Sequence, residues 1–61
     1  MVTLVNGPKG KALITKDEKS GKFVIEFHSF VSFALMLPKL VVSENEANEI
    51  AAEFCKMGKL Q

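Results

Sequence analysis

The chain has 61 residues, eight lysines and no arginine against seven acidic residues, a net charge of +1, and 48% hydrophobic residues without Trp or Tyr. That length allows one domain, 1–61, so small that a single core hides only about 60% of the surface the unfolded chain exposes. One cysteine excludes an internal disulfide, one histidine beside it is too little for a four-ligand zinc site, and balanced charge without arginine argues against a strongly basic nucleic-acid binder.

The N-terminal run Val2-Thr3-Leu4-Val5 is short and β-prone, and Asn6-Gly7-Pro8-Lys9-Gly10 is a turn by composition. Its glycines and Lys11 bear a superficial likeness to a phosphate loop. However, the GxxxxGK[ST] spacing is missing, Pro8 removes an amide, and a strand rather than a helix is expected to follow. Lys11 to Lys16 reads as a second, loosely patterned strand. Asp17-Glu18-Lys19-Ser20-Gly21 is then a solvated hairpin tip of about five residues.

From Lys22 the odd positions read Phe23, Ile25, Phe27, Ser29, Val31, Phe33, Leu35 and Leu37, nearly all apolar, as in a strand with one buried face. Sixteen residues exceed an ordinary strand, so a bend or bulge is expected at His28-Ser29. For 30–37 a strand is preferred over a helix on its Phe and Val content and short length, although Ala34-Leu35-Met36-Leu37 are good helix formers. After Pro38, Lys39 to Val42 resumes an extended character suited to a sheet edge.

The last element is a helix over 44–57. Ser43-Glu44-Asn45-Glu46 forms a capping box, and Ala47, Ile50, Ala51, Phe54 and Met57 make one apolar stripe. Acidic residues gather toward its start and Lys56 lies in its last turn, and Gly58 is placed to end it in the left-handed conformation. The fold class expected is α+β: an antiparallel β-meander of three or four short strands followed by one C-terminal helix packed on one face.

Chemistry is sparse in this pattern. Cys55 and His28 could form a nucleophile–base pair only if brought within hydrogen-bond reach, and the negative end of the helix disfavours a thiolate. Cys55 therefore reads as a small packed side chain and His28 as a polar residue at a bend. Glu46, Glu49 and Glu53 neighbour one another on a solvated helix face, which lacks the dry concavity an acid–base pair needs. No catalytic residue, cofactor or metal is expected.

One helix covers one face of a sheet. The even positions Val24, Phe30, Ser32, Ala34 and Met36 are left as the expected interface, and a homodimer is the expected assembly. The functional expectation is a non-enzymatic protein-binding molecule of adaptor or inhibitor type. The alternative is nucleic-acid binding by the lysine-bearing sheet side, through Lys9, Lys11, Lys16, Lys22 and Lys39, with Phe30 stacking on bases. No signal-peptide pattern is present in MVTLVNGPKG, and the longest apolar run, Phe33 to Leu37, is far too short to span a bilayer. A cytoplasmic setting without membrane contact is expected.

Overall fold

The computed structural model describes residues 2–32 and 36–59. Strands β1 (Val2–Asn6), β2 (Gly10–Lys16), β3 (Phe23–Ser29) and β4 (Lys39–Val41) form one antiparallel sheet in the order β1-β2-β3-β4, followed by helix α1 (Glu44–Met57). This is the expected meander with one helix packed against it.

Local chemistry sets each boundary. The β1–β2 hairpin closes around Pro8 and Lys9, with the Gly7 amide donating to the Gly10 carbonyl (2.9 Å). At the β2–β3 tip the Asp17 carboxylate accepts from the Lys19 amide (3.1 Å) and the Ser20 hydroxyl (2.9 Å), as Asp does in turns. In α1 the Ser43 hydroxyl accepts from the Glu46 amide (3.4 Å), so the expected N-cap is formed. Gly58 (φ 76°) ends the helix, its amide donating to the Phe54 carbonyl (2.6 Å), a left-handed cap that side chains with a Cβ adopt only under strain.

Strand parity on β3 runs as expected: Ile25 and Phe27 are buried beneath α1, and Phe23 packs at the margin. Ala12, Ile14 and Val41 join them from β2 and β4, facing Ala47, Ala51, Phe54 and Cys55 of the helix. Phe54 is fully buried, with its ring 4.8 Å from that of Phe27 at a 54° tilt. Tilted pairs of this kind add about 0.5–1.5 kcal/mol beyond their area.

Residues 30–32 and 36–37 depart from the preferred reading. Phe30–Ser32 and Met36–Pro38 are neither strand nor helix, and Phe33–Leu35 lie outside the described residues. Ser29 explains where the strand stops. Its hydroxyl donates to the Gly58 carbonyl (2.7 Å) and accepts from the amides of Val31 (3.2 Å) and Ser32 (3.1 Å). Backbone groups that bond to a nearby hydroxyl are withdrawn from the sheet ladder, and the chain bends.

Three segments meet at one corner of the molecule. The Lys9 amide donates to the Cys55 carbonyl (3.1 Å), the Phe30 amide to the Lys9 carbonyl (2.9 Å), and the Cys55 thiol to the Val5 carbonyl (3.3 Å). Lys9 thus satisfies a carbonyl of the last helical turn that would otherwise lack a partner within α1. The approach is close: a Cβ on Gly7 would meet the Cβ and carbonyl oxygen of Cys55 at 2.6 Å each.

Candidate functional site

The cross-strand register shows which side chains share the face that α1 leaves open. Val2, Thr15, Val24 and Leu40 form one row across all four strands, since each is the register partner of the next. Leu4, Leu13 and Glu26 form a second row, and Asn6, Lys11 and His28 a third. Side chains alternate across a strand, so these rows lie opposite the residues packed beneath the helix. The face is apolar toward the Val2 end and polar toward the β1–β2 turn.

Its apolar members reach solvent. Val2 is 60% exposed, and Leu4 and Leu40 are each 55% exposed, with Leu13 and Val24 half-buried between them. Isolated exposed leucines are ordinary on a protein surface, whereas a contiguous apolar face marks a place of contact. Strand spacing and rise put the Cα footprint of the whole open face, its polar row included, at roughly 14 by 14 Å, or roughly 400 Å² once side chains are added. That is about half of the roughly 800 Å² per partner in a standard stable interface.

Only part of the interface expected from sequence lies here. Val24 is on the open face. Phe30 is 59% exposed but sits past the end of β3, on the bend, beside exposed Ser32. Ala34 lies outside the described residues. Met36 is a correction: it is half-buried and packs against the core, because alternation does not carry through the bend at Phe30. Val2, Leu4, Leu13 and Leu40 were missed, since their faces depend on pairing across strands. Alternation within β1 and the Pro8-Lys9 turn held the signal.

The five lysines of the alternative reading are exposed but not gathered. Lys11 alone stands on the open face. Lys16 and Lys39 pair with Phe23 and Ile25 and so have the helix-side parity, while Lys9 and Lys22 lie in the two hairpin loops.

Nor does the fold assemble the cysteine–histidine pair. His28 belongs to the open face, whereas Cys55 is buried on the helix side with its thiol on Val5. Burial pushes the Cys55 thiol above its ordinary pKa, away from the thiolate. An open cleft of about 470 Å³ runs along α1, with Ile50, Phe54 and Met57 among its lining residues and Lys39, Glu49, Glu53 and Lys59 supplying charge. Among the described residues no three His, Cys, Asp or Glu side chains converge as metal ligands. Among the same residues no helix is long and apolar enough to cross a membrane. No family model, curated protein or solved structure matches this chain.

Proposed function

We propose that this is a small non-enzymatic protein-binding molecule, working as a homodimer in the reducing cytoplasm, with the open face of the sheet as the surface that each copy offers to a protein partner. The observation that carries the reading is the apolar patch of exposed Val2, Leu4 and Leu40 and half-buried Leu13 and Val24, with Thr15 among them, bordered by Asn6, Lys11, Glu26 and His28. An apolar centre with a polar margin is the anatomy of a protein–protein contact. A single lysine on that face is poor provision for a phosphate backbone, whose binding scales with the number of neutralised charges. The buried, protonated thiol suits a reducing compartment, and the separation of His28 from Cys55 supports binding over catalysis.

The test is capture followed by reconstitution. A photo-crosslinking residue replacing Leu13 should trap one defined protein in the source cell. That protein, once purified, should bind the unmodified chain, and Leu40→Asp should weaken the affinity by about tenfold or more, as removal of an apolar anchor does. An affinity unchanged by Leu40→Asp refutes the reading. So does a trapped nucleic acid whose binding falls steeply between low and physiological salt.

A further inference from the structure

The two edges of the sheet are built differently. β4 is three residues long, follows Pro38 and carries Lys39, all features that blunt an edge against strand pairing. β1 is five residues long, VTLVN, with no charge and no proline, and four of its five residues are exposed. Nothing in its composition discourages another strand from adding to it.

The hairpin fixes which backbone groups it offers. Gly7 and Gly10 form a hydrogen-bonded pair, and in an antiparallel ladder such pairs alternate with non-bonded ones. Counting back along the register, Val5 with Ala12 and Thr3 with Ile14 are bonded pairs. Leu4 with Leu13 and Val2 with Thr15 are non-bonded ones, as is Asn6 with Lys11. The N–H and C=O groups of Val2, Leu4 and Asn6 therefore point outward, away from β2, along the free side of an outermost strand.

We infer that β1 pairs antiparallel with β1 of a second copy, centred on Leu4 against Leu4, to give one continuous eight-stranded sheet. Outward-pointing residues must face one another, so Leu4 pairs with Leu4 and Val2 with Asn6 in both directions, and up to six backbone hydrogen bonds form. The register is self-complementary, as two-fold symmetry requires. Because β1 carries no charge, it sets no like charges opposite one another. The two leucines become cross-strand neighbours on the open face.

Size favours a second copy as the occupant. One open face offers roughly half of a standard contact, whereas two faces joined through β1 span roughly 34 by 14 Å between Cα positions, or roughly 850 Å² with side chains. The inference rests on the proposed function, since it explains how so small a face becomes a full docking surface.

Hydrogen exchange followed residue by residue tests the pairing. Raising the protein from micromolar to millimolar should slow exchange of the Leu4 and Asn6 amides by about tenfold or more, while Thr3 and Val5, already bonded to β2, stay unchanged. Leu4→Lys, which sets two lysines opposite each other, should abolish both this effect and the dimer in sedimentation, and Leu40→Lys should leave both intact. Concentration-independent exchange at Leu4 and Asn6 overturns the inference. Dissociation by Leu40→Lys also overturns it, by placing the contact on the faces. Neither result touches the crosslinking experiment at Leu13, so the edge pairing can fail while the binding face stands.

Discussion

Replacing Gly7 with alanine would place a methyl carbon 2.6 Å from the Cβ and the carbonyl oxygen of Cys55, and 2.8 Å from its carbonyl carbon. None of these is the far end of a flexible side chain, so the β1–β2 turn or the last turn of α1 must move. Overpacking of this kind costs about 1–3 kcal/mol. The same movement stretches the Lys9 amide away from the Cys55 carbonyl, a bond of net worth about 1 kcal/mol. The expected total is about 2–4 kcal/mol, against a whole stability of roughly 3–9 kcal/mol for a chain this size. With an unfolding entropy near 0.13 kcal/mol/K, the melting temperature should fall by roughly 15–30 °C. Thermal and urea unfolding followed by circular dichroism measures it. Gly21→Ala is the control: no atom lies within 4 Å of its added Cβ, and only its φ of +75° is strained, at about 1–2 kcal/mol. Cys55→Ala should not rescue Gly7→Ala, because the clash is with the Cβ and backbone. A Gly7→Ala loss no larger than that of Gly21→Ala would refute the close approach.

Phe54→Ala removes the largest fully buried side chain and its contact with Phe27, and should cost about 3–5 kcal/mol in urea unfolding, enough to leave much of the chain unfolded. Ser43→Ala removes the acceptor for the Glu46 amide and should cost about 1 kcal/mol, with Ser43→Asp restoring most of it. The raised pKa of Cys55 has a defined sign: its contribution is fully present below the pKa of an unfolded thiol, about 8.5, and is lost as pH rises through the higher folded value. The difference in urea midpoint between the native chain and Cys55→Ala should therefore shift against the native chain between pH 8 and 10. A constant difference across that range would show that the thiol is not held protonated by the fold.

Signals that live within one segment were legible in the sequence. Helix 44–57, its Ser43 cap and its Gly58 stop depend on residues three or four apart, and the structure has them all. The parity of Phe23, Ile25 and Phe27 was legible because it needs only alternation along one strand, and Pro38 marked the approach to the short edge strand. The open face was only partly legible. Whether Leu4 and Leu13 share a side depends on the pairing set by the Pro8-Lys9 turn, which joins two strands whose patterns are loose when read alone. The stretch after Ser29 misled for a related reason: Phe30 looked like a continuation of the strand, but the Ser29 hydroxyl binds the amides of Val31 and Ser32 and the carbonyl of Gly58, twenty-nine positions further along a chain that local reading does not fold back.

The corner where Gly7 and Lys9 meet Cys55 and Gly58 joins the first hairpin to the last turn of the helix, and the Cys55–Val5 bond spans fifty positions of sequence. During synthesis the hairpin is made first, yet the groups that hold its turn leave the ribosome only after some forty-five further residues, which at about 5–20 residues per second is a wait of seconds. Through that interval β1 is a nascent edge with no helix behind it. Closure of the corner is a single late event of long contact order, so the domain should fold all at once when the end of α1 emerges instead of piece by piece from its N-terminal end.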